Sequence, residues 1–279
     1  VGVSVTEPDF GSDVAGVTTM ATAVDGGFRI NGVKTWATFA GRAELIMLLA
    51  RTNPDRSASH RGLSLFVVEK DAVPGHSFAL QQDGGGTVEG RAIDTIGYRG
   101  MHSFEVSYSD WFVPAENLVG EDAGLGRGFY LQMEGFENGR LQTAARAVGL
   151  MQAAFDAGLA YSQERIVFGR SVFDYQLSQA KLARMAASIQ AGRQFSYDVA
   201  ARMGRGEGTL AASMVKAYVC RAAEWVTREA MQLHGGMGYA EEFPVSRYFV
   251  DARVLSIFEG ADETLCLRVI ARRLAEQAL

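Results

Sequence analysis

The hydrophobic period of this 279-residue chain changes where its prolines stop, and that switch limits what it can fold into. Four of the five prolines (Pro8, Pro54, Pro74, Pro114) precede residue 115, and 19 of the 32 glycines precede residue 129. No proline lies between Pro114 and Pro244. Proline removes a backbone donor and locks φ, so long helices are open only to the later part. In the front part Phe104, Val106 and Tyr108 alternate with Ser103, Glu105, Ser107 and Ser109, the period of a strand with one wet face. Asp25-Gly26-Gly27 and Asn31-Gly32 sit beside β-favouring runs and predict hairpin turns. The polar stretches 52–61 and 81–91 predict surface loops. From Phe129 onward the spacing is helical, and Val215, Val219, Ala222, Val226, Ala230 and Leu233 form one stripe. Helices are predicted at about 129–161, 173–204 and 209–234, with shorter ones near 244–254 and 262–277. The predicted class is α+β: a small antiparallel β-barrel or sandwich-like domain over 1–118, then an antiparallel four-helix bundle over 119–279.

Charge and cysteine content exclude several functions. With 27 basic and 32 acidic residues the net charge is −5, which disfavours nucleic acid as a partner. No apolar run approaches the roughly 20 residues of a membrane span; the run 45–50 is strand-sized. Cys220 and Cys266 make neither a disulfide framework nor a zinc set, so no metal is expected and a reducing compartment fits. Val1 opens the chain without Met or a signal-like segment, the expectation for a piece of something longer. Gly124-Leu125-Gly126-Arg127-Gly128 resembles a dinucleotide fingerprint with its third glycine one residue early, and is expected to be a flexible domain junction.

Five stretches offer chemistry, each beside a blander reading. The loop from Thr6 to Asp13 is either a self-satisfied Asx-type turn or a presenter of hydroxyls and N–H groups to a polar ligand. Trp36 and Thr38 share a strand face, as core residues or as a flat wall beside a hydroxyl donor for a planar heterocycle. Arg165 and Arg170 flank a helix break, either as a solvated helix end or as a phosphate site. Gln232-Leu233-His234-Gly235-Gly236 ends a helix; C-capping explains one glycine, and the second suggests close approach of a backbone or ligand. His234 reads as structural. Glu259, after Ile257-Phe258, falls in a connection before a final helix that Asp262 is placed to cap. Desolvation there would raise its pKa toward that of a working base.

Taken in order, the stretches Val5-Thr6-Glu7-Pro8 with Gly11-Ser12-Asp13, Asn31 to Thr38, Glu164-Arg165 with Phe168-Gly169, Gln176, Gln232 to Tyr239 and Phe258-Glu259-Gly260 resemble the acyl-CoA dehydrogenase family over essentially the whole chain. The resemblance implies the family's middle β domain and C-terminal helical domain, without its N-terminal helical domain. It implies FAD as cofactor and oxidation of an acyl-CoA thioester to the trans-2-enoyl-CoA. Glu259 matches the base that removes the α-proton; Gly139 stands where some relatives carry the base and cannot serve. Thr6, Ser12, Trp36 and Thr38 match flavin contacts, and Arg165, Phe168, Gln176, Gln232 and Gly236 match contacts to FAD bound mainly to a neighbouring subunit. Ser12, Arg140 and Gly260 are the expected substrate contacts. Ala261 and Glu263 depart from the family's usual Thr and Gln. The implied partners are an electron-transfer flavoprotein and further copies of the chain in a homodimer or homotetramer, in a bacterial cytoplasm or mitochondrial matrix. The stretches Ile96 to Met101, Phe136 to Arg146 and Ile257 to Ala261 are similar to methylsuccinyl-CoA dehydrogenases, which implies a short branched acyl chain ending in a carboxylate. A short- or medium-chain acyl-CoA is the alternative substrate; a non-catalytic FAD-holding subunit and an oxidase are the alternative roles.

Overall fold

The computed structural model describes residues 1–277. They form two compact units that meet in sequence between Gly135 and Phe136.

The first unit is built on β1 (Gly2–Ser4), β2 (Met20–Val24), β3 (Gly27–Thr38), β4 (Leu45–Arg51), β5 (Leu63–Glu69), β6 (Ser77–Gln81), β7 (Thr87–Ala92) and β8 (Ser103–Pro114). The sheet order is β1-β4-β2-β3-β8-β7-β6, with β5 on β4 and β1 also bridging β3. Pairing is antiparallel except where β4 runs parallel to β1 and β2. The expected alternation holds: Phe104, Val106 and Tyr108 join Ile30, Ile46, Leu48 and Phe66 in the core. Burying such side chains supplies on the order of 1.5–3 kcal/mol each before entropy is counted.

Asn31-Gly32 is not a turn. It lies inside twelve-residue β3 at a slip in its register with β8. Asn31 Nδ2 donates to Asp110 Oδ1 at 2.8 Å, and the Asp110 N–H donates to Asn31 Oδ1 at 3.0 Å. Gly32 is needed because its φ is +147° and a Cβ there would stand 2.6 Å from Thr19 Oγ1. An Asx-Gly pair therefore marks a bulge here. Asp25-Gly26 does turn β2 into β3. The predicted 81–91 loop shrinks to residues 82–86, since β7 takes 87–92 with only Val88 and Gly90 buried. Polar composition hid that strand. The glycine-rich 124–128 segment packs on β5: the Gly126 N–H donates to Ser64 Oγ at 2.9 Å, and a Cβ on Gly128 would meet the Ser64 backbone at 2.3 Å.

The second unit holds most of α1 (Gly128–Glu164), then α2 (Gln176–Met203), α3 (Thr209–His234) and α4 (Pro244–Leu255). A two-residue hairpin, β9 (Ile166–Val167) with β10 (Arg170–Ser171), interrupts α1 and α2. Residues 262–277 are helical with a π-helical stretch at Leu265–Ala271. The three long helices close on small side chains: a Cβ on Gly192 of α2 would lie 3.4 Å from both Met151 Cε of α1 and Val219 of α3. The α3 stripe is buried at Val215, Val219, Val226, Ala230 and Leu233, while Ala222 is half-buried. Lys216 is buried within it.

Candidate functional site

The candidate residues of the first unit gather around the end of β3. The Thr35 N–H donates to the Thr6 carbonyl at 2.8 Å, which ties the 6–13 loop to the strand segment carrying Trp36. Trp36 lies in a second register slip of β3, with φ at 57°. Its indole is 54 % exposed, which removes the core reading. Trp36 and Thr38 flank buried Ala37, and Thr38 is half-buried. Ser12 is exposed on the loop.

The loop is held by an ion pair that sequence reading missed. Lys34 Nζ donates to Glu7 Oε1 and to the Val5 carbonyl, each at 2.9 Å. The same carboxylate accepts from the Thr18 N–H, the Thr18 hydroxyl and the Thr19 N–H at 2.7–2.8 Å. Burial disfavours the charged carboxyl, but Lys34 and these donors outweigh it and hold Glu7 down to about 2. Burial draws Lys34 down to about 8 against the pull of Glu7. Arg51 adds three carbonyl contacts, to Val17, Ser59 and Ala15. No local motif announces this clamp, since its members lie 27 residues apart.

At one end of the bundle, the helix turn leading into Arg165 packs against the segment that carries Gln232 and Gly236. Tyr161, whose carbonyl accepts from the Arg165 N–H at 2.9 Å, stacks on His234 with centroids 4.2 Å apart. His234 is buried, its Nδ1 is 2.8 Å from the Ala230 carbonyl, and burial lowers its pKa; it is structural. Phe168 and Gly169 form the hairpin tip with φ at 50° and 82°. Such turns take Asn or Gly by preference, yet Phe168 stands there 95 % exposed. Gln176, Gln232 and Gly236 are exposed, and a Cβ on Gly236 would meet nothing within 4 Å. Arg170 stacks over Tyr175, 3.9 Å from its ring centre.

Elsewhere in the second unit, Glu259 sits on the turn between α4 and the last helix, with φ at 54°, followed by Gly260 at 93°. Its Oε2 is buried without a hydrogen-bond partner. Burial raises its pKa, while Arg140, Arg146 and Lys216 pull it back. Arg140 is buried; Nη1 donates to Ser213 Oγ at 3.3 Å and Nε has no acceptor. Lys216 Nζ donates to the Gly260 carbonyl at 2.6 Å. Asp262 does not cap the last helix. Its side chain turns inward to ion pairs, 3.5 Å from Lys216 Nζ and 3.5 Å from Arg221 Nε. A carboxylate with one oxygen free of hydrogen bonds and its pKa raised by burial is of the kind that can accept a proton.

Eight non-glycine residues among those described have positive φ, and Trp36, Phe168 and Glu259 are three of them. Each costs about 1–2 kcal/mol. Such strain gathers at working sites, and three of the eight fall on residues that the sequence already singles out.

The described residues thus pair a mostly antiparallel β unit with a long-helix bundle that carries a half-buried carboxylate, unpartnered at Oε2, on a turn of positive φ. Residues 2–111 match the family model "Acyl-CoA dehydrogenase, middle domain", and residues 126–275 match "Acyl-CoA dehydrogenase, C-terminal domain". The chain belongs to the acyl-CoA dehydrogenase family, whose members are FAD-dependent oxidoreductases. It is 41% identical over 272 residues to (2S)-methylsuccinyl-CoA dehydrogenase of Cereibacter sphaeroides, matching 97% of this chain and 48% of that protein. It is 35% identical to the short-chain specific acyl-CoA dehydrogenase of Megasphaera elsdenii, over 92% of this chain and 63% of that protein. The solved butyryl-CoA dehydrogenase of Megasphaera elsdenii superposes with a TM-score of 0.88 at 34% identity, over 98% of this chain and 67% of that one. The chain thus spans about half to two thirds of these relatives. No described helix is long and apolar enough to cross a membrane.

Proposed function

We propose that this chain is the flavin- and substrate-handling part of an acyl-CoA dehydrogenase in which Glu259 takes the α-proton of the thioester. The observation that carries the reading is the Glu259 carboxylate: buried and without a hydrogen-bond partner at Oε2, and raised in pKa by burial while three cations pull it back. A thioester α-proton is weakly acidic, so the enolate-like charge needs donors as it develops, and the backbone N–H of Glu259 serves as one. The strained turn fixes that N–H and the carboxylate together, so positioning is a large share of the rate. FAD, when bound, supplies the hydride acceptor for the β-carbon. The exposed Trp36 indole and the Thr38 hydroxyl fit a planar heterocycle with a hydrogen-bonding edge. Thr6 and Ser12 add polar groups to the same ligand, and Ser12 also reaches the CoA chain. Arg165, Phe168, Gln176, Gln232 and open Gly236 serve FAD of a neighbouring copy, in a homodimer or homotetramer. Electrons leave to an electron-transfer flavoprotein, in a bacterial cytoplasm or mitochondrial matrix.

The substrate we propose is a short branched acyl-CoA ending in a carboxylate, methylsuccinyl-CoA being the first to try. Its support is the 41% identity to a methylsuccinyl-CoA dehydrogenase together with buried Arg140, whose Nε has no acceptor. Arg140 and Gly260 then contact substrate. The test is a panel on the full-length protein, comparing anaerobic flavin bleaching by methylsuccinyl-CoA and butyryl-CoA. Faster bleaching by methylsuccinyl-CoA supports the reading, and preference for butyryl-CoA returns it to a short-chain dehydrogenase.

A further inference from the structure

We infer that Lys216 is a positioning residue for the base: it clamps the Gly260 carbonyl and sets a fixed positive charge behind Glu259. The inference rests on the proposed role of Glu259. Lys216 lies in the apolar stripe of α3 with no exposed surface. A charge taken out of water there costs several kcal/mol unless it is paired and hydrogen-bonded. A methionine or leucine would continue the stripe between Val215 and Val219 without that cost. What neither of them offers is a donor to the Gly260 carbonyl, which Lys216 Nζ reaches at 2.6 Å.

The clamp falls where the backbone needs it. Glu259 and Gly260 have consecutive positive φ of 54° and 93°. A turn of that kind persists only when its surroundings over-determine it. Leu265 closes one side, since a Cβ on Gly260 would lie 3.0 Å from its Cδ2. The Asp262 N–H donates to the Ser256 carbonyl at 3.2 Å. Lys216 supplies the side-chain donor. The charges facing Glu259 are Arg140 and Arg146 from α1 and Lys216 from α3. Lys216 in turn faces Asp262, Glu259 and the Cys220 thiol, which burial pushes up to about 12 and so keeps neutral.

The test uses the full-length flavoprotein with Lys216→Met, Asp262→Asn and Glu259→Gln. Two readouts are taken: amide hydrogen exchange of peptides covering 256–265, and the pH dependence of anaerobic flavin reduction. Lys216→Met is expected to speed exchange of the turn at least tenfold with FAD content unchanged. It also moves the acid limb of the rate upward by about one pH unit, because an opposite charge near the base is gone. Asp262→Asn, which leaves Lys216 less compensated, moves the limb the other way and decides the matter if the methionine variant fails to fold. Wild-type exchange and an unmoved limb in Lys216→Met, or an unmoved or raised limb in Asp262→Asn, overturn the inference. Bleaching by Glu259→Gln at the wild-type rate would instead sink the role of Glu259, and the exchange data would still decide whether Lys216 holds the turn.

Discussion

A Cβ built on Gly139 would stand 2.6 Å from Oε2 of Glu259 and 3.0 Å from its Cδ. Only a hydrogen at position 139 leaves the carboxylate where it is. In the family resemblance that position carries the base in some relatives; here it is glycine, and the Glu259 side chain from the turn after α4 lies against it. A side chain at 139 and the Glu259 carboxylate in its present place therefore compete for the same space.

Gly139→Ala tests this. Alanine gains about 1 kcal/mol of helix propensity over glycine, and the clashing atom ends a flexible side chain, so thermal stability should hold or rise. Displacing the carboxylate by even 1 Å costs on the order of 10²-fold in rate. Stopped-flow flavin reduction should fall at least tenfold with FAD content unchanged; wild-type reduction would show that the Glu259 position does not matter.

The Glu7–Lys34 pair predicts an acid-labile first unit. Glu7 has its folded pKa depressed from 4.5 to about 2, so its contribution is full above 4.5 and is lost as pH falls toward 2. Urea unfolding of the wild-type chain between pH 5 and 3 should lose stability that Glu7→Gln has already lost at neutral pH, giving the variant a flatter profile. Parallel profiles would contradict the pair's role.

Much of the fold was legible because periodicity is a local signal: the α3 stripe and the Phe104-Val106-Tyr108 alternation both lie where spacing put them. Asn31-Gly32 misled because the dipeptide that turns a hairpin also suits a bulge, and Thr19, whose approach decides between them, is distant in sequence. Asp262 looked like a cap until Lys216 and Arg221 drew its carboxyl inward. At the site, Glu259, Trp36 and Phe168 were marked by residue type and by resemblance. Lys34, Lys216 and Arg51 were not, because a lysine or arginine reads as surface until the tertiary fold closes over it.

Phe168→Ala separates the hairpin's own needs from a ligand's. The ring is 95 % exposed on a strained turn, so its removal should leave the thermal midpoint of the chain within a degree or two. FAD affinity, measured by reconstitution of apoprotein, should weaken at least tenfold if the ring serves the cofactor of a neighbouring copy. Unchanged affinity would remove Phe168 from the site.

Arg140 faces both roles assigned to it, tuning Glu259 and meeting a substrate carboxylate. Arg140→Met should slow every acyl-CoA through the base, since its charge lowers the Glu259 pKa. Loss of recognition would add a further tenfold or more against methylsuccinyl-CoA alone, about 1.4 kcal/mol. An unchanged ratio of methylsuccinyl-CoA to butyryl-CoA rates would leave Arg140 with the first role only.

The most direct test is single-turnover flavin reduction in Glu259→Gln of the full-length protein, which keeps the size and shape of the side chain but cannot take a proton. Excess acyl-CoA should still bind, seen as a perturbed flavin spectrum, while bleaching slows by at least a hundredfold, as expected when a general base is removed. Bleaching within a few-fold of the wild-type rate would contradict the role of Glu259.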